Sequence, residues 1–463
     1  MTKRFVLLSL GAFFFAPIAF AHDVDIRSFG AKAKASFLNT EAIQRAIDSV
    51  SASGGGRVVI AGGVYVTGTL HLKDGVELHL AADAVLQGSA NWRDWKDVPN
   101  AQSFDHKLTP RGRSAALIIA DGARHIALTG RGAVDANGLQ FVRPVADRKE
   151  GQPYERILDN AKSPPRVMLL AGCQDVIIRD FTLRNLPAGW GVWIHNCDRV
   201  KVDGVTVSAA VDYPNNDGLH VNCSRDVAIA NCHIETGDDA IVVRANSVTL
   251  KENRPCERVT VANCSLRSYA NAIRIGWAND GVIRNCTFTN LAITDSVNGI
   301  GIVLPETKDR KEMTDQGREA TLIENIRFSN IVMDRMLARP VQIEIDPCVT
   351  TRCAAIRNIV FSGMSARGLE FPLICGREGD YLENIAFRDC QFEKRAEQTR
   401  AELQWRLEGY AFYLRRPGAR ECAFVRNLSF SDVLFRGNDD SVFVALSRGA
   451  IPQTVSLREW KGE

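Results

Sequence analysis

Between residues 173 and 392 the chain returns eight times to one short template. Each copy reads as a turn, Val or Ile at alternate positions, a polar pair, and a second short strand. Examples are CDRVKVDGVTVS from Cys197, SRDVAIANCHIET from Ser224 and CERVTVANCSLRS from Cys256. Most spacings fall between the low twenties and the low thirties. Self-similarity on that scale means a stacked array, in which one repeat buries its apolar face only against its neighbours. Alternation with period two excludes helical repeats, and propeller blades need about 40 residues each. The expectation is an all-β chain wound as a right-handed parallel β-helix of roughly ten coils. The recurring Asn of the polar pair fits ladders at the turns.

The ends of such a solenoid need covers. Ahead of the first strands, Ala42, Ile43, Ala46, Ile47 and Val50 fall on one helical face. Asn39 or Thr40 is the candidate N-cap, and Gly54-Gly55-Gly56 should end the helix. A capping helix over Thr40–Val50 follows. Two stretches interrupt the template: Asn91 to Arg113, with Trp92, Trp95 and Pro99, and Phe141 to Arg166. Both are candidate cleft walls. From about residue 395 the pattern is less regular, with helical spacing over Glu402 to Leu407. Residues 22–463 are expected to form one domain.

Lys3 and Arg4, the apolar run Phe5 to Ala16, and Ala19-Phe20-Ala21 have the form of an export signal over residues 1–21. The expected mature chain starts near His22 and is periplasmic or secreted. The apolar run is too short to span a bilayer, and no later stretch approaches the ~20 apolar residues required. A formal charge of +3 with both signs interspersed gives no case for nucleic acid or membrane partners. The twelve cysteines invite a disulfide reading. Cys197, Cys223, Cys232, Cys264 and Cys286, however, recur at coil-like intervals, as buried hydrophobes would. Only Cys348 and Cys353 form a candidate local disulfide. No Cys or His cluster has metal-ligand spacing, and no cofactor is expected.

Three carboxylates stand out against this background. Asp217 lies in Asn215-Asn216-Asp217-Gly218, and Asp238 and Asp239 in Gly237-Asp238-Asp239. Asp217 and Asp238 are twenty-one residues apart, about one coil, so the acids can share one patch of surface. Paired carboxylates, one protonated and one ionised, are what glycosidic bond hydrolysis requires. The plain alternative is ordinary turn chemistry at Asn-Asp and Gly-Asp. Adjacent residues of a flat strand would point to opposite faces, so a bend at Gly237 is needed to bring Asp238 and Asp239 together.

These motifs resemble the N-T-D and D-D motifs of glycoside hydrolase family 28, the polygalacturonases, within the pectin-lyase-like superfamily. The opening stretch SFGAKAKASFLNTEAIQRAIDSV and the later AALIIADGARHIALTGRGAVDANG resemble segments of that family in the same order. The likeness spans roughly residues 23 to 395. It implies a polysaccharide substrate and inversion of configuration. It also implies Asp238 as general acid, with Asp217 and Asp239 activating water. Other groups expected at the substrate are Arg274, Arg244, Asn216, Trp277 and His220, and the protein is expected to act as a monomer.

Departures from the family are equally specific. Ala270 stands at the expected place of its histidine, and Gly301-Ile302-Val303 at that of Arg-Ile-Lys. A cleft tyrosine is replaced near Asp346-Pro347. The lost cations would grip a uronate carboxylate. Either Arg244, Arg254 or Arg274 takes over that task, or the central sugar is not galacturonate. A lyase on the same fold, with a basic proton abstractor and often Ca²⁺, and a non-catalytic glycan binder remain as alternatives.

Overall fold

The computed structural model describes residues 23–145, 154–156, 163–304, 320–345, 353–377, 379–394, 424–436 and 456–458. The export segment, the stretch 402–407, Asp346-Pro347 and Cys348 lie outside them. The described chain is a right-handed parallel β-helix. One sheet has ten strands stacked in chain order, from Leu70–His71 to Leu373–Cys375. The other has 21. Among the described strands the antiparallel pairing is Val142–Pro144 with Tyr154–Arg156.

Each template copy supplies strands to the larger sheet, and register ties like to like. Val200 pairs with Val227, which pairs with Val259. Val202, Ile229 and Val261 form the next column inward, and all six are buried. Further along, Phe288, Phe328, Phe361, Phe387 and Phe430 stack with ring centroids 4.6 to 5.3 Å apart. This is the strand spacing of about 4.8 Å written in aromatic rings.

The polar pair turns the corner between strands. Asn231, Asn263, Asn290 and Asn330 all have φ of 52 to 56°, a left-handed geometry that asparagine tolerates better than most residues. Their amides run as a ladder: Asn263 donates to Asn231, Asn290 to Asn263 and Asn330 to Asn290, at 2.8 to 3.3 Å. A second ladder joins Asn325, Asn358, Asn384 and Asn427 to the coil before each, starting at Asn285.

The capping helix runs Thr40–Ala52 and buries Ala42, Ile43, Ala46, Ile47 and Val50 against the first coils. Asn39 holds the N-cap position, but its side chain does not cap the helix. It binds the Lys32 amide and the carbonyls of Lys32, Phe37 and Val66, tying the lead-in loop to the solenoid. Cys197, Cys223, Cys232, Cys264 and Cys286 are buried free thiols. Of the loop aromatics, Trp95 is a core residue, edge-on to Phe141 with its indole N–H on the Ser89 carbonyl.

Because each of the three central phenylalanines has a ring above and below, removing one opens a cavity that neighbouring coils cannot close. Phe361→Ala should cost about 3–5 kcal/mol, read as a lowered urea midpoint. A loss under about 1 kcal/mol would show that the stack relaxes around the gap.

Candidate active site

Three outward-facing columns on the ten-stranded sheet define the site. The register Leu219 to Ile241, carried back two residues, sets Asp239 over Asp217, and the Gly218 N–H donates to the Asp239 carbonyl at 2.9 Å. The coil is thus one residue longer than the Asp217–Asp238 interval, and Asp239, rather than Asp238, is the direct neighbour of Asp217. By the same register the column reads Arg166, Trp190, Asp217, Asp239, Asn271, Asn298, Arg339. The next column reads Leu169, Trp193, His220, Val242, Arg274, Gly301, Gln342. The third includes Ala171, His195, Asn222 and Arg244.

Asp238 sits beside this first column on a bend held by two hydroxyls. Thr236 and Ser268 both donate to its carbonyl. Gly237 is required here for its missing side chain: a Cβ would lie 2.7 Å from the Asn216 side-chain oxygen and the Ala210 and Val211 carbonyls. Its φ is not in the left-handed range, so close approach, not turn geometry, selects glycine. Asn216 is fully buried and spends its amide on Gly237 N–H and the Ala210 carbonyl. The structure corrects its expected role at the substrate: it splints the two aspartate segments together.

The three carboxylates differ in surroundings. Asp238 is half-buried and accepts from the backbone amides of Asn215 and Asp239. Asp217 is buried, and its Oδ1 has no partner among the described residues. Burial first, and then the charges of Asp238 and Asp239, hold its carboxyl well above the usual carboxylate range. Burial and then the Asp238 charge push Asp239 up to about 6, against the opposing pull of Arg274 and Asn271. Like charges this close cannot all ionise freely, so the cluster retains protons that isolated aspartates would lose.

Sequence reasoning missed Asn271. Its amide and its side-chain nitrogen both donate to Asp239 Oδ1, at 3.0 and 2.6 Å, and Asn298 donates to its oxygen in turn. Ala270 lies one coil from Asp238, not Asp239, by the same register. The group that orients Asp239 is therefore this asparagine.

His220 is buried with its ring on Trp190, centroids 4.0 Å apart. Its Nδ1 lies 3.7 Å from Asp217 Oδ2, beyond hydrogen-bond range. Burial, then Arg244 and Arg166, hold its pKa well below the ordinary value, so it is a neutral ring wedged behind Asp217 and not an exposed sugar ligand. Arg244 makes a bidentate pair with buried Asp280, at 2.6 and 2.8 Å, and Arg254 pairs with Asp198. Both are committed to protein carboxylates.

Arg274 differs. Alternation turns it away from the core between Ile273 and Ile275, as expected, yet it is only 7% exposed. Its Nε and Nη2 donate to the Gly276 and Val303 carbonyls, and its guanidinium lies 4.4 Å from the centre of the partly exposed Trp277 ring. No described carboxylate forms an ion pair with it. Gly301 is its partner on the next coil, and a Cβ there would come 2.6 Å from Asn271 Oδ1. Asn271 already occupies the space into which a Cβ at 301 would project, with Arg274 in ordinary contact beside it.

Fold and site together define a parallel β-helix protein with a three-carboxylate cluster on the outer face of one sheet. The family model for Glycosyl hydrolases family 28 matches residues 97–388, and the chain belongs to that family. A Probable polygalacturonase of Vitis vinifera is 26% identical over 290 residues, 61% of this chain and 57% of that one. An Exo-poly-alpha-D-galacturonosidase of Dickeya chrysanthemi is 27% identical over 313 residues, 60% of this chain and 51% of that one. The matches thus span about half the length of these curated relatives. Among solved structures, a hyperthermoactive Exopolygalacturonase from Thermotoga maritima superposes with a TM-score of 0.66 at 19% identity, over 90% of this chain and 92% of that one.

The raised Asp239 pKa has a stability consequence with a definite sign. In the unfolded chain the group titrates near 3.9, and in the fold at about 6. The folded state therefore holds the extra proton, and stability falls as pH rises from about 4 to about 6. Asp239→Asn keeps an acceptor for Asn271 and removes the titration. At pH near 7 the variant should be more stable than the parent by up to about 3 kcal/mol, the gain vanishing near pH 4. Thermal melts at the two pH values check this, and a variant destabilised only at the higher pH contradicts it.

Proposed function

We propose that the protein is an inverting glycoside hydrolase acting on an acidic or decorated pectic polysaccharide outside the cytoplasm. The observation that carries this is the convergence of Asp217, Asp238 and Asp239 on neighbouring coils, in surroundings that retain protons. Asp238 is the most accessible of the three and can reach the bulky leaving oxygen as general acid. Asp217 and Asp239 are recessed, where a water molecule fits more readily than a sugar. In the proposed step this water adds to the anomeric carbon while the carbon–oxygen bond to the departing sugar breaks. The departing oxygen takes the Asp238 proton, and the water gives its own to the ionised member of the recessed pair, while the other member keeps its proton.

Arg274 carries the substrate assignment. A buried cation without an ion pair is expensive to keep, and an incoming uronate carboxylate would compensate it. The cation that the family resemblance placed at residue 301 is supplied instead from one coil earlier. Its reach toward the sugar differs accordingly, which favours a decorated or rhamnose-containing pectic glycan over plain polygalacturonate. The polygalacturonase relatives support an acidic substrate.

Two variants test the assignment. Asp238→Asn should lower kcat by several orders of magnitude with an unchanged melting curve. Near-parental turnover rejects Asp238 as the acid. Reducing-end release without an unsaturated-uronate absorbance separates hydrolysis from elimination. Arg274→Ala should raise KM about a hundredfold on acidic glycan, as expected from losing charged hydrogen bonds of about 1.5–3 kcal/mol each, with little effect on a neutral aryl glycoside. An equal effect on both would assign Arg274 a purely structural part.

A further inference from the structure

The columns that carry the aspartates continue toward the N-terminal coils, but there their outward faces are covered by protein. Phe104, with Val98 and Ala101 beside it, packs over Ile119, Leu169, Ala171 and Trp193, and sits edge-on to His195. These are groove-floor residues of the three coils that precede Asp217.

The segment 97–113 is fastened across the groove at both sides and along its length. The amides of Gln102 and Ser103 bind the Asp121 carboxylate, Asn196 donates to the Ser103 carbonyl at 3.3 Å, and Asp105 N–H donates to the Thr249 carbonyl at 2.7 Å. At its far end Arg111 donates to the Ala188 carbonyl at 2.8 Å. Fully buried Arg166 lies 4.3 Å from the centre of the Trp193 ring and donates to the carbonyls of Arg113 and Pro110. A cationic side chain with two backbone acceptors and two indole faces, Trp190 and Trp193, makes this a fixed wall.

The partly exposed groove residue that meets this wall from the aspartate side is Trp190. It is one coil from Asp217, a rise of about 4.8 Å. Trp193 and His195 on its own strand and Leu169 on the coil before are at most 2% exposed. A polysaccharide running along the groove through the aspartates would need that surface for its next units, and it is occupied.

We propose that the groove is blind on the Trp190 side and that the protein therefore acts on chain ends, binding one or two terminal sugar units between Trp190 and the aspartates. Trp190, whose ring lies against His220 and Arg166, offers its exposed edge at the closed end, and the segment 97–113 is the stop that sets the length of the released product. This rests on the hydrolase reading above and adds the mode of attack.

Polygalacturonate and a rhamnose-containing pectin are the probes, with viscosity, reducing ends and product size followed together over the first few per cent of reaction. The expected result is a steady rise of one short product while viscosity holds. An early fall in viscosity with a spread of medium-length products overturns chain-end attack and leaves the hydrolase reading standing. Hydrolysis of neither probe, nor of an aryl glycoside panel, overturns both. A loop replacement locates the cause. Replacing residues 98–106 by a short Gly-Ser linker, in protein whose cooperative melt is retained, should raise internal cleavage at least tenfold relative to end release. A folded variant with an unchanged product pattern overturns the assignment of the wall to this segment.

Discussion

In-register parallel pairing is the constraint from which the rest follows. Each coil places its residues over those of the coil before at one strand spacing, so one favourable column choice is repeated along the axis. Inside, this yields the phenylalanine stack and the valine and isoleucine columns. At the corners it yields the asparagine ladders, whose side chains satisfy one another while their backbones hold the left-handed turn. On the outer face of the ten-stranded sheet it brings Asp217 and Asp239, far apart in a flexible chain, into direct adjacency. The same rule that builds the core builds the site.

That rule explains what could be read from the sequence. Alternating Val and Ile in a repeated frame specify strands that bury one face, and the period specifies stacking, so the solenoid and its capping helix were legible. The convergence of the three aspartates was legible too, but their order was not. A coil one residue longer than the Asp217–Asp238 interval exchanges which acid sits over Asp217, and only pairing register resolves a difference that small. Asn271 was missed although its signal was present. Asp217-Gly218-Leu219, Asp239-Ala240-Ile241, Asn271-Ala272-Ile273 and Asn298-Gly299-Ile300 all read polar, small, aliphatic. Aligning those triplets would have placed Asn271 over Asp239. Asn216 and Arg244 hold protein partners for a common reason: their polarity signals a partner, and in a stacked coil that partner is often the neighbouring backbone or a buried charge. His220 is buried against the Trp190 ring instead.

The site is also a place where the fold departs from its own habits. Core columns repeat like residues, whereas the outer columns hold Trp, Asp, Asn, Arg and Gly in succession. Carboxylates with raised pKa values, an unpartnered oxygen on Asp217 and a cation without an ion pair are costs that packing alone does not explain. They gather on the coils of Asp217, Asp239 and Arg274, with buried Arg166 two coils before.

Gly301 shows what such stacking implies for substrate choice. A Cβ there would come 2.6 Å from Asn271 Oδ1, an oxygen held by Asn298. Asn271 in turn gives both its donors to Asp239. A side chain at 301 would therefore press first on the residue that orients a carboxylate, so the stacked coil couples the position of the cation to the alignment of the acids.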